Sequence, residues 1–232
     1  MKHESFNEST EMYLKTIAEL APDASALVPI STLAERLGVS NVSATEMVHR
    51  LEDQKLLVHT PYKGVTLTAE GRHQATLLIR THHLWEYFLV EELGLPWDLV
   101  HEYACRLEHA TAPQVTEALA AYLQHPPNCP HGNPIPDSAG QMQIPPHVPL
   151  GALKPGQGAT VRRIFPESQE LLAYLKQCGI QPGRQITFQE LAPFNGPLMV
   201  RCDGRQQALS REVAQNIFVE PQPVPEAEAA RV

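Results

Sequence analysis

The chain has 232 residues, of which 43% are hydrophobic, and it carries 18 Lys and Arg against 26 Asp and Glu. This length fits one large domain or two to three small ones. We expect a cytoplasmic protein, because no run of about 18 apolar residues could span a membrane and the polar N-terminus has no signal-peptide core. The net charge of −8 argues against nonspecific coating of nucleic acid but is compatible with a local DNA-reading face.

The N-terminal part alternates between helical and strand-like patterns. An amphipathic pattern predicts a first helix over residues 8–20. Two further helices, over residues 30–37 and about 42–54, are joined by a short turn that contains glycine, which is the helix-turn-helix layout. Two short alternating runs, 56–59 and 65–68, predict a β-hairpin. Together these elements predict a winged helix-turn-helix.

Helical patterns continue through the middle of the chain. A long one runs from residue 69 to 93, a second starts near Asp98, and a third covers residues 114–123 behind Pro113. Proline is favoured in the first turn of a helix, which supports the third assignment. Residues 126–155 contain nine prolines, which indicates an extended linker rather than a core.

The character of the sequence changes beyond this proline-rich stretch. The short strand-like runs lie at residues 159–164, 185–190, 198–202, 207–209 and 217–220. One helix, over about residues 168–177, interrupts them. This pattern predicts a small five-stranded barrel of the SH3 type. From Pro221 onward the chain consists largely of Pro, Ala and Glu, which indicates a disordered tail.

One nine-residue stretch carries the strongest chemical signal. At about 100° per residue of helix, four of its side chains fall within a face roughly 100° wide. These side chains are His101, Cys105, Glu108 and His109. Imidazole, thiolate and carboxylate groups bind late first-row divalent metals. His82 and Glu86, spaced i,i+4 on the preceding predicted helix, add two further donors, so the sequence predicts a metal-binding protein.

Winged helix, paired metal-ligand helices and a terminal small barrel follow one another in this order. The chain thereby resembles the DtxR/MntR (diphtheria-toxin-repressor) family of metal-dependent transcriptional regulators, up to about residue 220. The strings that carry the resemblance are Thr10-Glu11-Met12-Tyr13-Leu14, the His82 and Glu86 pair, Leu93-Gly94-Leu95, Val100-His101-Glu102, Ala104-Cys105-Arg106-Leu107-Glu108-His109 and Gly132-Asn133-Pro134-Ile135-Pro136.

The resemblance implies a fold class that is mainly α with α+β parts. It also implies a homodimer that binds palindromic operator DNA when loaded with Fe²⁺ or Mn²⁺ at two sites per subunit, and that represses metal-uptake genes without any membrane partner. The implied domains are a winged helix-turn-helix DNA-binding domain (1–73), a helical dimerisation and metal-binding domain (74–140), a Pro-rich linker (141–155), an SH3-like, FeoA-type domain (156–221) and a disordered tail (222–232).

Two ligand sets follow from the resemblance. The primary set is Met12, Cys105, Glu108 and His109. The ancillary set would use His82, Glu86 and His101, or a variant of these. His83 stands where the best-known iron sensors carry an anion-binding Arg, and Cys129 replaces a nearby Ser. Some manganese-sensing relatives bind metal through a Cys-x-His pair at this point, and the variant set is therefore Glu86, Cys129, His131 and Glu167, with Glu170 as the alternative to Glu167.

The identity of the metal depends on the softness of the donors. The soft ligands Cys105 and Met12 favour Fe²⁺ over Mn²⁺, whereas the Cys129 and His131 variant keeps Mn²⁺ as the alternative. By the Irving–Williams order, Co²⁺, Ni²⁺ and Zn²⁺ would bind more tightly in vitro, and Cd²⁺ is a further candidate there. Selection in the cell would rest on metal availability and geometry.

DNA contacts are expected on the second helix of the helix-turn-helix, which should enter the major groove. The candidate contact residues are Ser40, Asn41, Ser43, Thr45, His49 and Arg50, with Lys63 on the wing. Residues 1–73 hold seven Lys and Arg against ten Asp and Glu, a balance of 7 − 10 = −3. Phosphate attraction should therefore be weak, and DNA binding should depend on the dimer and the metal.

Two other functions compete with gene regulation. The string His101-Glu102-Tyr103-Ala104-Cys105 superficially resembles the His-Glu-x-x-His string of zinc proteases, with Glu102 as a candidate base. The sequence suggests no substrate cleft, and a helix-turn-helix has no use in a protease, so we predict that the chain is not an enzyme. A metal-buffering or interaction module, with the barrel binding a peptide, is the remaining alternative.

Overall fold

Three helices and a β-hairpin form the N-terminal part of the computed structural model, which describes residues 7–21, 23–143, 145–194 and 196–222. In chain order they are α1 (Glu8–Leu20), α2 (Ile30–Leu37), α3 (Asn41–Asp53), β1 (Leu57–Thr60) and β2 (Gly64–Leu67). The two strands are antiparallel, with Leu57 opposite Leu67 and Thr60 opposite Gly64. The predicted winged helix-turn-helix is confirmed.

Short polar residues and one glycine define the ends of these helices. Asn7 accepts a hydrogen bond from the Thr10 N–H at the start of α1, and Ser40 accepts one from the Ser43 N–H at the start of α3. Gly38 ends α2 with φ +67°, a left-handed conformation that glycine adopts at little cost. The fully buried side chains of the core beneath include Leu33, Ala44, Val48, Leu51 and Val65.

Three helices and a π-helical turn make up the middle of the chain. They are α4 (Ala69–Tyr87), the π turn (Phe88–Glu92), α5 (Val100–Ala110) and α6 (Pro113–Tyr122). The sequence predicts one helix up to residue 93, but the α-helical part ends at Tyr87. The Leu93 N–H then donates to the Phe88 carbonyl at 3.2 Å, the i to i+5 pattern of a π-helix. Apolar residues continue through both parts, so periodicity does not reveal the change.

An antiparallel sheet and two short helices build the C-terminal part. The strands are β3 (Val148–Pro149), β4 (Gly158–Ile164), β5 (Gln185–Leu191), β6 (Leu198–Cys202), β7 (Arg205–Leu209) and β8 (Ile217–Pro221), and the helices are α7 (Gln169–Gln177) and α8 (Arg211–Gln215). The strand order is β3-β8-β4-β5-β6-β7. The predicted SH3-like small β-domain is confirmed, with the short β3 added to the five predicted strands. Its fully buried core side chains include Val161, Ile164, Leu172, Ile186 and Val200.

The proline-rich stretch is not the extended linker predicted from the sequence. Cys129 and His131 are buried, and the Ile164 N–H of β4 donates to the His131 carbonyl at 2.9 Å. Val148–Pro149 pairs with β8, and Leu150 is fully buried in the core of the small β-domain. Composition is misleading here because several residues between the prolines, among them Cys129, His131 and Leu150, are buried in a folded core.

The described chain divides into two units. The first unit holds the described residues through His82, with Arg106–Leu119 and Pro136–Met142; the second holds His83–Cys105, Ala120–Ile135 and the described residues from Gln143 onward. The region 74–140 contributes residues to both units, and its assignment as one helical domain stays a prediction. Of the predicted tail 222–232, residues 223–232 lie outside the described residues. No helix in the described part is long and apolar enough to cross a membrane.

Candidate metal centre

Six potential metal ligands meet in the second unit. His83 and Glu86 come from α4, and His101 comes from the first turn of α5. The other three members of this group, which we call the buried centre, are Cys129 and His131 in the loop after α6 and Glu167 just before α7. Ligand atoms of His83, Glu86, Cys129 and Glu167 all lie within 4.8 Å of one another, and all four residues are buried.

The two carboxylates of the buried centre lie between its imidazoles. His101 Nδ1 is 3.2 Å from Glu86 Oε1 and 3.2 Å from Glu167 Oε2. His131 Nδ1 is 3.2 Å from Glu86 Oε2 and 3.5 Å from Glu167 Oε1. The Cys129 thiol donates to Glu167 Oε1 at 3.5 Å. Two carboxylates, imidazoles and a thiol within these distances are a donor set suited to a divalent transition metal.

Backbone carbonyls orient two of the imidazole rings. His131 Nε2 donates to the Trp97 carbonyl at 2.7 Å, and His83 Nδ1 donates to the Pro134 carbonyl at 3.0 Å. Each ring therefore directs its other nitrogen toward the carboxylates, with His83 Nε2 lying 3.8 Å from Glu167 Oε1. A carbonyl that holds one ring N–H fixes the tautomer whose second nitrogen can bind metal. The described centre thus already has the outer hydrogen bonds of a metal site.

The loop that carries His131 is pressed against strand β4. Gly132 has φ +83°, and a Cβ at this position would lie 1.9 Å from the Arg162 carbonyl oxygen. Asn133 donates a hydrogen bond to the Ile164 carbonyl at 3.0 Å and a very short one to Glu167. Its Oδ1 is buried and has no hydrogen-bond partner among the described residues, so it leaves one acceptor for a bound cation or its water. The loop therefore positions the ligands with its backbone.

The carboxylates of the buried centre raise the pKa values of their neighbours. Burial alone would lower the pKa of His131, but the charges of Glu86 and Glu167 raise it well above its usual value. Burial, reinforced by the same two carboxylates, raises the pKa of the Cys129 thiol well above its usual value. A proton on His131 thus compensates part of the carboxylate charge, while the raised pKa of Cys129 keeps its thiol neutral. A divalent cation could take the place of both protons.

A second group of charged residues lies in the first unit. Glu108 is buried, and its carboxylate accepts hydrogen bonds from Lys15 Nζ at 2.8 and 3.0 Å and lies 2.5 Å from His82 Nδ1. Burial would raise the pKa of Glu108, but His82 and Lys15 lower it to about 2. His109 Nδ1 donates to Glu11 Oε2 at 2.6 Å. His109 Nε2 is buried 3.5 Å from Glu108 Oε1 and has no hydrogen-bond partner in the described part of the chain.

The predicted ligands are distributed unevenly between these groups. Of the predicted ancillary residues, the buried centre collects Glu86, His101, Cys129, His131 and Glu167. His82 contacts Glu108 in the first unit, and Glu170 is exposed on α7 whereas Glu167 is buried. Met12 is half-buried on α1 of the first unit, and Cys105 Sγ lies 3.7 Å from His101 Nε2 in the second.

Three participants are not predicted by the sequence. His83 differs from the residue of the iron sensors but is not predicted to be a ligand, and neither Glu11 nor Lys15 is predicted to take part. Glu11 and Lys15 are spaced i,i+4 on α1, so their charges could have been recognised as one helix face, but nothing in the sequence pairs that face with Glu108 or His109.

The candidate DNA-contact residues lie along α3, from its N-cap to its last turn, and on the wing. Ser40 caps the helix, the Thr45 hydroxyl donates to the Asn41 carbonyl at 2.8 Å, and Ser40 and Ser43 share a hydrogen bond of 2.9 Å. His49, Arg50 and Lys63 are exposed. The described geometry leaves the longer side chains available to DNA, while the hydroxyls already have local partners.

Three family descriptions match the chain. Residues 5–65 match the N-terminal DNA binding domain of iron dependent repressors, residues 68–137 match their metal binding and dimerisation domain, and residues 148–221 match the FeoA domain.

Individual relatives are similar over nearly their whole length. The iron-dependent repressor IdeR of Mycobacterium tuberculosis (strain ATCC 25618 / H37Rv) is 33% identical over 227 residues, which cover 92% of this chain and 97% of the relative. The solved structure of a manganese-dependent transcriptional repressor in complex with manganese is 37% identical, with a TM-score of 0.82 over 90% of this chain and 98% of the other. The structure of the manganese regulator SloR is 30% identical, with a TM-score of 0.79 over 92% of this chain and 98% of the other. The chain therefore belongs to the iron-dependent repressor (DtxR/MntR) family of metal-dependent transcriptional regulators.

Proposed function

We propose that this chain is a metal-activated transcriptional repressor in which the buried centre holds one of the activating ions. The observation that carries the proposal is the pair of buried carboxylates, Glu86 and Glu167, placed 3.2 to 3.5 Å from the imidazole nitrogens of His101 and His131. Buried carboxylates are costly unless a cation or a proton compensates them. A divalent ion at this point would supply that compensation.

The activating ion that we propose is Fe²⁺ or Mn²⁺. Carboxylate oxygens suit Mn²⁺, and imidazole nitrogens suit Fe²⁺ and later metals. The family supports both ions, because IdeR is described as iron-dependent and the solved relative as manganese-dependent. We propose Glu86, Cys129, His131 and Glu167, with His101 and His83, as the residues that would hold one ion.

A second ion is proposed for the first unit. Glu108 and His109 are the donors there, and His109 Nε2, which has no hydrogen-bond partner among the residues that the structure describes, is available for coordination. Met12, half-buried on α1 of the same unit, is a further member of the primary set that the family resemblance predicts. An ion at Glu108 would compete with the ammonium of Lys15, which now compensates that carboxylate.

The proposed partner is a palindromic operator that a cytoplasmic homodimer would bind. The residues proposed to reach the DNA are Ser40, Asn41, Ser43, Thr45, His49, Arg50 and Lys63. A metal that binds the DNA-bound protein more tightly than the DNA-free protein must raise DNA affinity by the same factor, because the two equilibria are linked. Metal activation therefore requires no contact between metal and DNA.

Binding of the chain to its own upstream promoter DNA tests the proposed function. The protein is stripped of metal under anaerobic conditions, and Fe²⁺ or Mn²⁺ is titrated while DNA binding is followed. We expect affinity to rise by about 10- to 100-fold with metal, the range of ordinary allosteric coupling. Metal uptake without any change in DNA affinity would favour a buffering protein and would contradict the proposal.

Metal binding at the buried centre is expected to release protons. His131 and Cys129 have raised pKa values without metal, and both must lose their protons to become ligands. Affinity should therefore rise with pH, by up to about tenfold per pH unit for each proton released. Calorimetric titration with Mn²⁺ in two buffers of different ionisation enthalpy measures the release. Identical heats in both buffers would contradict this assignment.

A further inference from the structure

Three potential metal ligands meet in the first unit between helix α3 and the wing formed by β1 and β2. His49 and Glu52 are spaced i,i+3 near the end of α3, and His59 lies in strand β1. One ligand atom from each residue lies within 4.8 Å of the other two. The group, which we call the wing cluster, contains no residue of the buried centre and none of the primary set.

The geometry of the wing cluster depends on Glu52. Its Oε1 accepts a hydrogen bond from the His59 backbone N–H at 3.0 Å, which fixes the carboxylate against the strand. Its Oε2 lies 3.9 Å from His49 Nδ1. The rings of His49 and His59 are 5.7 Å apart between centroids and inclined by 74°. The carboxylate and both imidazoles therefore already lie close to one another.

Modest side-chain rotation would bring the donors into coordination range. Tetrahedral zinc bonds of about 2.0–2.1 Å place neighbouring ligand atoms roughly 3.4 Å apart, somewhat closer than in the wing cluster. The side chains of His49 and Glu52 are 58% and 41% exposed, so solvent leaves them room to rotate. Because these side chains are exposed, water molecules could complete the coordination sphere of a bound ion.

We infer that His49, Glu52 and His59 form a third divalent-metal site, which takes a borderline ion of the Zn²⁺ and Ni²⁺ class. Two imidazoles and one carboxylate, without a thiolate, match the preference of these ions better than that of Mn²⁺. The bound ion crosslinks helix α3 to the wing. It also adds positive charge beside Arg50, on a surface that is proposed to face DNA phosphates.

The discriminating substitution is Glu52→Gln, because it keeps the size of the side chain and removes the anionic ligand. The matched control is Asp53→Asn, which removes an exposed carboxylate from the next position of α3. His125 is an exposed histidine outside the wing cluster and provides an internal reference. None of these substitutions changes a buried side chain, so the variants should fold.

Carbethoxylation of the full-length protein, read for each histidine by mass spectrometry during a Zn²⁺ titration, tests the site. We expect Zn²⁺ to protect His49 and His59 with the same half-saturation point and to leave His125 reactive. Glu52→Gln should weaken that protection at least about tenfold, and Asp53→Asn should not. Unchanged reactivity of His49 and His59 in saturating Zn²⁺, or equal protection in Glu52→Gln, would overturn the site. Neither outcome bears on activation of DNA binding by Fe²⁺ or Mn²⁺, which is measured separately.

Discussion

Glu86→Gln is expected to lower metal affinity at the buried centre by about 100-fold or more and to remove most of the metal activation of DNA binding. Glu86 is fully buried, and its two oxygens lie 3.2 Å from nitrogens of His101 and His131. Loss of an anionic ligand should lower metal affinity more than loss of an outer hydrogen-bond partner, which alone typically lowers it 10- to 100-fold. The amide keeps the shape of the side chain, so the effect should come from charge and coordination.

Glu91→Gln is the matched control for this substitution. Glu91 lies in the π turn, five residues after Glu86, and its side chain is exposed. We expect wild-type metal affinity and wild-type DNA binding in this variant, measured by the same Fe²⁺ and Mn²⁺ titrations. If Glu86→Gln bound metal as tightly as Glu91→Gln, Glu86 would not be a ligand.

Gly132→Ala is expected to destabilise the protein by about 3 kcal/mol or more in urea unfolding. The added Cβ would lie 1.9 Å from the Arg162 carbonyl oxygen, and the residue would have to keep φ at +83°. Because both obstacles are backbone features, side-chain rotation cannot relieve them. Metal affinity should fall as well, because Gly132 directly follows the proposed ligand His131 and a shift of the backbone at Gly132 would move that side chain.

Gly156→Ala separates the two causes of this loss of stability, the left-handed backbone conformation and the contact with the Arg162 carbonyl. Gly156 also has φ +83°, but a Cβ there would meet nothing within 4 Å. We expect a loss of about 1–2 kcal/mol from backbone strain alone. The difference in the free energy of unfolding between the two variants then measures the steric contact between β4 and the loop that carries His131. Equal losses in both variants would contradict the role assigned to that approach.

The helices and strands could be predicted from the sequence because their signals are local. Period 3.6 identified α1 and α3, and alternation identified the wing and most strands of the small β-domain. Periodicity failed where the hydrogen bonding changed without a change in side-chain pattern, as at the π turn after Tyr87. Composition failed where proline was treated as a property of linkers, although Cys129 and His131 lie buried between prolines.

The candidate metal centre was predictable only in part, because most of its contacts join residues that are far apart in the sequence. Helical spacing associates Glu86 with His82 and His101 with Cys105, but it does not show which of them point toward a shared centre. In the structure Glu86 Oε1 and His101 Nδ1 lie 3.2 Å apart. Cys129, His131 and Glu167 lie in loops, and only the family resemblance linked them to Glu86. Lys15 could not be anticipated, because it pairs with Glu108 across 93 positions of sequence.

The most direct test of the buried centre is crystallographic. Crystals of the full-length protein are soaked in Mn²⁺, or in Fe²⁺ under anaerobic conditions, and anomalous differences are collected at the absorption edge of the metal. We predict a peak at coordination distance from Glu86, His131 and Glu167, about 2.0–2.3 Å from their ligand atoms. A fully loaded crystal in which the metal peaks lie elsewhere and this centre keeps its hydrogen bonds would contradict the assignment.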